Sequence, residues 1–376
     1  MIERTEYLEQ LKAFKDKDLI KVVTGIRRCG KSTLFDLFID YLKKMGVKDE
    51  QIIKINLEDP DYNFVNYKDF YDFVNRKITK DKKYYVFLDE VQTVPLFQKA
   101  VDGLYIKKNV DVYITGSNAY LLSGELATLL SGRYVEIKML PLSFKEYLSN
   151  FDNKEKSRYE YFLDYMKIGG MPGNLSIIRD DVNRLDMYLE GIFTTVVYKD
   201  IMARNNISDK LLIESILKFI FDSIGSPIST KRISDTLTSK GLSTSNHTVE
   251  NYISAFLDSY LIYKAERFDV KGKNLLVRDY KYYVVDQGLR SYLLGKRADS
   301  DMGHILENIV YLERLRRGYT VYVGKVDDLE IDFVAQNRDG LRYYQVALSV
   351  RDERVLEREL KSLQRTGDHY PKYLLT

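Results

Sequence analysis

The chain reads as an α/β protein with a parallel-sheet core, followed by a helical connector and two smaller domains. Three observations predict this. A glycine-rich turn stands between a short apolar strand and an amphipathic helix at residues 19–39. Apolar runs ending in polar or acidic residues recur at 84–90 and 110–118, as strands buried on both faces do. From residue 143 the apolar spacing becomes helical, and later a mixture of helix and strand.

The turn, Gly25-Ile-Arg-Arg-Cys-Gly-Lys-Ser-Thr33, fits G-x-x-x-x-G-K-[ST]. Gly25 and Gly30 allow a tight bend in which successive N–H groups converge on phosphate oxygens. Lys31 reaches the outer phosphates, and the Ser32 hydroxyl is a ligand for Mg2+. Leu19–Thr24 supplies the strand before it. Thr33 opens the helix after it, so phosphate also meets a helix N-terminus, with Arg28 beside it. The pattern predicts a bound nucleoside triphosphate with Mg2+. No Asn-Lys-x-Asp base-reading motif is present, which favours ATP.

Tyr84-Tyr-Val-Phe-Leu-Asp-Glu90 is a buried strand ending in two carboxylates. Asp89 is placed to hold the metal through its water shell, and Glu90 to orient and polarise the attacking water. The distance from the turn leaves room for two more strands and a helix. Val110–Asn118 ends in small polar residues suited to sensing the terminal phosphate, with Asn118 ahead of Thr115. A plain strand-to-turn passage suits the same residues.

Beyond this point Ile114-Thr-Gly-Ser-Asn-Ala-Tyr-Leu-Leu-Ser-Gly124, Leu130-Ser-Gly-Arg-Tyr134 and Leu140-Pro-Leu-Ser-Phe-Lys-Glu-Tyr-Leu148 resemble the AAA-type P-loop ATPases of bacteria and archaea that carry a C-terminal domain of unknown function. Gly169-Gly-Met-Pro-Gly173, Tyr198-Lys-Asp-Ile201 and Leu306-Glu-Asn308 extend the likeness over nearly the whole chain. The resemblance implies ATP hydrolysis and puts Arg133 where an arginine finger can stand, often supplied by a neighbouring subunit. An oligomer of at least two chains would then be required. A surface salt bridge is the alternative use of Arg133, and Arg27 and Arg28 are rival sources of the charge.

Composition sets bounds. Of 376 residues, 45% are hydrophobic and 30% charged, as in ordinary globular proteins, and the net charge of +3 demands no nucleic-acid partner. The single cysteine, Cys29, excludes a disulfide framework and reads as a small filler in the loop. Met-Ile-Glu-Arg-Thr-Glu is no signal peptide, and no apolar run reaches the ~18 residues of a membrane span, so a cytoplasmic location is expected.

The expected domains are residues 1–142, the ATPase core; 143–210, a helical lid or connector broken at Gly169–Gly173; 211–285, a winged helix; and 286–376, a final α/β domain. Asp200 and Arg204, spaced i,i+4, are expected to pair. In the winged-helix pattern, Leu211–Ile224 and Ser229–Leu237 precede a third helix at Ser245–Leu257, capped by Ser243 or Ser245. A DNA-binding version would turn Asn246, His247, Asn251 and Tyr252 to bases and set Lys271 and Lys273, at the wing tip, on phosphate. That helix carries Glu250 and Asp258 and no lysine or arginine, so a protein-recognition role is equally open.

The order helix (His304–Arg316), strand (Ile331–Val334), strand (Tyr343–Ala347), helix (Val355–Leu363), strand resembles the restriction-endonuclease-like fold. The resemblance implies a metal-dependent phosphodiester site in which Glu307, Asp332 and Gln345 are retained. Ala347 stands where the lysine belongs, with Lys325 and Arg351 as the nearby basic residues, so the domain reads as degenerate. It stops on Tyr373-Leu-Leu-Thr376, shorter than the resemblance implies. Three functions follow: a Mg2+-dependent ATPase switch or motor, an ATP-gated duplex-DNA-binding protein with weak or lost nuclease activity, and a nucleotide-dependent scaffold that recognises a protein.

Overall fold

The computed structural model describes residues 2–119, 130, 132–151, 155–295 and 301–376. It divides into two compact units, Met1–Pro141 with Asp258–Tyr260, and Leu142–Leu257 with Leu261–Thr376.

In the first unit, Ile20–Thr24 (β1), Ile52–Asn56 (β2), Tyr84–Asp89 (β3), Val110–Gly116 (β4) and Tyr134–Lys138 (β5) form a sheet in the order β2-β3-β4-β1-β5. Every pairing is parallel. The three inner strands are buried at each residue, whereas edge strand β2 alternates buried and exposed positions and edge strand β5 is mostly half-buried. That difference is why the inner strands are continuous apolar runs. Thr5–Phe14 (α1) is followed by Lys31–Lys44 (α2), whose Phe35 and Phe38 pack on Phe87 and Tyr113, and the latter two rings stack at 4.7 Å. Tyr67–Asn75 (α3) and Phe97–Tyr105 (α4) bury Phe70, Val74, Phe97 and Leu104 in a core with Val22, Ile55, Val86 and Leu88. Each such large side chain contributes about 1.5–3 kcal/mol.

Between β1 and β3 lies one strand flanked by two helices, not two strands and a helix. The segment before α3, Glu58-Asp-Pro-Asp-Tyr-Asn63, holds turn formers and adds no strand. Because β4 sits between β1 and β3, three strand ends converge on one crevice, the usual ligand position in such sheets.

The second unit begins with Phe144–Leu148 (α5), Arg158–Ile168 (α6), Asn174–Asp180 (α7) and Leu185–Thr195 (α8), which runs into a π-helical stretch, Val196–Met202. The helices break at Gly169–Gly173 as expected. Asp200 and Arg204 pair at 3.3 Å, with Asp200 buried. Lys210–Asp222 (α9), Thr230–Ser239 (α10) and Asn246–Asp258 (α11) follow. Asp209, Ser229 and Ser245 accept backbone N–H groups from Leu212, Arg232 and Thr248, so Ser245 rather than Ser243 caps α11.

Pro227–Ile228 (β6), Ile262–Asp269 (β7) and Asn274–Val284 (β8) join Thr320–Val326 (β9), Leu329–Asn337 (β10), Gly340–Val346 (β11) and Lys372–Leu375 (β12) in one sheet, ordered β12-β11-β10-β9-β7-β8-β6. The β7–β9 and β11–β12 pairs are parallel and the others antiparallel. Gln287–Leu294 (α12), Met302–Arg316 (α13) and Glu353–Gln364 (α14) complete the unit. The boundary expected at 285/286 is therefore no break in packing. Strand β7 bonds directly to β9, and Tyr283 of β8 stacks on Tyr311 of α13 at 4.1 Å with Phe333 beside them. No described helix is long and apolar enough to cross a membrane.

Candidate functional site

The expected residues of the first unit meet at the C-terminal ends of β1, β3 and β4. Gly25 has φ +149°, and a Cβ there would lie 2.2 Å from the Met139 carbonyl oxygen, so only glycine lets the loop lie against the strand beside it. Gly30, with φ +103°, stands at the start of α2. Lys31 is 4% exposed; its Nζ donates to the carbonyls of Gly25 (3.0 Å) and Ile26 (3.3 Å) and lies 3.5 Å from Glu90. Ser32 is exposed on the first turn of α2, and Thr33 is half-buried behind it. Arg28 is exposed with φ +65°, while Arg27 is tied to Glu58 at 3.2 Å.

Across the crevice, Asp89 and Glu90 are both buried. Thr115 holds them: its hydroxyl donates to Asp89 and accepts the Glu90 N–H at 2.9 Å. Thr115 is thus committed to holding the Asp89 carboxylate and the Glu90 backbone, and Asn118, 4% exposed, lies two residues beyond β4. Gln92 Nε2 donates to Glu90 at 2.5 Å. Cys29 is fully buried, and burial pushes its thiol pKa up, in keeping with a filler role.

Arg133 is elsewhere. It directly precedes β5, and its carbonyl accepts the N–H of Ile20, at the end of β1 opposite the phosphate loop. Five residues of strand, about 15 Å, separate it from the loop of its own chain. It pairs with Asp102 at 2.7 Å. Arg133 therefore does not meet the phosphate loop of its own chain.

Sequence reasoning missed Arg4. It is 3% exposed and donates to the carbonyls of Cys29 (2.8 Å) and Leu140 (2.5 Å), clamping the phosphate loop to the segment after β5. No local motif announces it, because its partner at Leu140 is 136 positions away. Glu136 was also missed. It accepts the hydroxyls of Thr24 (2.7 Å), the last residue of β1, and of Tyr260 (3.3 Å).

In the second unit, Glu307, Asp332 and Gln345 do come together, lining a cavity of about 600 Å³ with Glu330, Glu359 and Ser362. Asp332 accepts the Val346 N–H at 2.8 Å, and Gln345 donates to Glu359 at 2.8 Å. The basic residue is neither Lys325 nor Arg351. Lys281 of β8, 2% exposed, reaches Glu307 (3.1 Å) and Glu330 (2.7 Å), and Tyr283 donates to Glu307 at 2.6 Å. Burial works against the Lys281 ammonium, but Glu307 and Glu330 outweigh it and raise its pKa. Burial, then Glu307, pushes Asp332 up to about 7. Among the described residues no group of three or more His, Cys, Asp or Glu is arranged to hold a metal, and here the ammonium of Lys281 sits between carboxylates instead.

The expected DNA contacts divide. Asn246, His247 and Asn251 are exposed on α11, but Tyr252 is buried in the core, and Lys271 is paired with Asp327 at 2.7 Å. Lys273 is exposed at the same turn.

With this geometry established, comparison with known proteins is informative. Residues 17–148 match a family described as an AAA domain, and residues 159–300 match a domain of unknown function (DUF8612). An uncharacterized protein of Haemophilus influenzae is 42% identical over all of this chain and 93% of its own length. An uncharacterized protein of Methanocaldococcus jannaschii is 30% identical over 92% of this chain and 78% of its own. The chain belongs to their family. Its nucleotide-binding part is of AAA type, and the family supports ATP binding and hydrolysis. The Walker-type ATPase of Pyrococcus abyssi shares the fold, with a TM-score of 0.53 at 16% identity over 78% of this chain and 96% of that one.

Proposed function

We propose that the chain is a Mg2+-dependent ATP hydrolase whose nucleotide state is passed to the second unit. The observation that carries the hydrolase reading is the placement of Glu90 3.5 Å from Lys31, with Thr115 holding the Glu90 backbone N–H and the Asp89 carboxylate. Gly25, Gly30 and the first turn of α2 cradle the phosphates, with Arg28 and Thr33 at the rim. Lys31 leaves the Gly25 and Ile26 carbonyls for the outer phosphates. The exposed Ser32 hydroxyl and the Asp89 carboxylate fit a Mg2+ ion, which would neutralise charge on the phosphates. Glu90 takes the proton of the attacking water, and Asn118 hydrogen-bonds the terminal phosphate.

Coupling rests on a second observation. Asp258–Tyr260 belong to the first unit, while their chain neighbours on both sides belong to the second. Tyr260, held at φ +57°, bonds Glu136, which bonds the residue just before the phosphate loop.

Nucleotide binding and steady-state hydrolysis of Lys31→Ala and Glu90→Gln test the hydrolase reading. Lys31→Ala should lose most nucleotide affinity. Glu90→Gln should bind ATP like the parent and turn over about 100-fold more slowly or worse. Parent-like turnover in both variants would overturn the assignment.

A further inference from the structure

Helix α14 faces solvent along much of its length. Its buried side carries Glu359, Ser362 and Leu363. Its solvent side is split by charge. At ~100° per residue, Arg354, Arg358, Lys361 and Arg365, spaced 4, 3 and 4 apart, fall on one flank, whereas Glu353 and Glu357 fall on the other. All four cations are exposed, and Arg351 precedes the helix. At 1.5 Å per residue the row spans about 16 Å.

Asp352 occupies Arg354 at 3.3 Å and Glu359 occupies Arg358 at 2.7 Å. Arg351, Lys361 and Arg365 have no ion-pair partner among the described residues. The row also continues beyond the helix. Asp327, in the β9–β10 turn, is paired with Lys271 and held below the ordinary carboxylate range by that hydrogen bond and, more weakly, by Arg365. Asp327 thus lies between Arg365 and Lys271 and offsets the Lys271 charge, and Lys273 of the same β7–β8 turn adds an exposed cation beyond it.

We propose that the backbone of duplex DNA docks along this flank, from Arg351 through Lys361 and Arg365 to the turn at Lys271 and Lys273. Charge complementarity selects a polyanion: duplex DNA presents one negative charge per ~1.7 Å of axis, and a 16 Å row lies along roughly five base pairs. Helix α14 and the β7–β8 turn carry no aromatic residue of their own to form the stacking platform that holds single strands. The row itself is made of Arg and Lys alone, and the proposed contact is to phosphate and independent of sequence. Helix α11, without a lysine or arginine between Asn246 and Asp258, is not the docking element. The proposal is independent of the ATPase reading.

Fluorescence anisotropy of a ~20-base-pair duplex with the full chain, between 50 and 200 mM KCl, tests this. Affinity should fall with salt with a logarithmic slope of about −3 to −4, at about −0.9 per neutralised phosphate. Arg351→Gln/Lys361→Gln/Arg365→Gln should lose at least tenfold in affinity and about 2–3 in slope, with ATP hydrolysis unchanged. Asn246→Ala/Asn251→Ala should bind like the parent. Absence of duplex binding at 50 mM KCl, a triple variant with parental affinity and slope, loss of binding in the α11 variant, or tighter binding of a single strand would each overturn the proposal. If the triple variant fails to fold, Arg351→Lys/Arg365→Lys should still bind with the parental slope, and a flat parental salt response overturns the assignment by itself.

Discussion

Arg4 spans a gap that the phosphate loop cannot close by itself. Two of its N–H groups bind carbonyls, one within the loop at Cys29 and one on the segment after β5 at Leu140. Hydrogen bonds from a charged donor contribute about 1.5–3 kcal/mol each. Arg4→Ala should therefore raise the dissociation constant for ATP about tenfold while leaving turnover of bound ATP near the parental value; a fluorescent-nucleotide titration beside single-turnover rates checks this. Asp332 makes a prediction of opposite character. Its folded pKa of about 7 lies above the ordinary 3.8, first because it is buried and then because Glu307 is near. The folded chain keeps this proton when the unfolded chain has lost it, so stability falls as pH rises from about 4 to about 7 and stays lowered above that. Asp332→Asn should flatten this slope and raise the urea midpoint at pH 8, whereas a midpoint lower than the parent's at pH 8 would contradict the assignment.

Gly169 decides how α6 ends. Its φ is +81°, and a Cβ would come within 2.4 Å of Asp286 Oδ1 and 2.5 Å of the Gly288 nitrogen. Asp286 in turn accepts the N–H groups of Gly170 (2.5 Å) and Leu289 (3.1 Å), and burial pushes it up to about 6. Left-handed strain and a backbone clash together should make Gly169→Ala cost more than about 2 kcal/mol, read as a shift in urea midpoint at constant slope. Elements of this kind were legible because their signals are local: glycine at a break, serine and aspartate at caps, unbroken apolar runs for inner strands. Strand β9 was not legible. Gly324 interrupts Thr320-Val-Tyr-Val-Gly-Lys-Val326, and it does so because Ile331 and Val334 press within 3 Å of where its Cβ would be. Lys281 was missed for another reason. It looks like an ordinary strand lysine until a helix 26 residues later brings Glu307 to it.

Two units in one chain predict two separable responses. ATP at 100 times its dissociation constant, added to Glu90→Gln, should stabilise the first unit by about 2.7 kcal/mol. Lys281→Met leaves buried Glu307 and half-buried Glu330 without their cation and should destabilise the second unit by about 3 kcal/mol, with Glu307→Gln recovering part of the loss. Scanning calorimetry should show each change chiefly in its own transition. Equal movement of both would mean that the chain unfolds as one. The sequence made the two halves unequally readable at this scale. The nucleotide-binding half follows from one motif and its strands. The sheet shared by residues 227–284 and 320–375 depends on the β7–β9 pairing, whose partners are about 55 residues apart and carry no mutual signature.

The lone thiol of Cys29 turns the phosphate loop into its own reporter. It is sealed beneath the bond from Arg4 to its carbonyl, and no second sulfhydryl competes for a reagent. The rate at which a maleimide or disulfide reagent modifies the native chain therefore counts openings of the loop directly. Bound nucleotide should slow that rate and Arg4→Ala should speed it, giving the free energy of loop opening from a kinetic experiment that needs no crystal or partner.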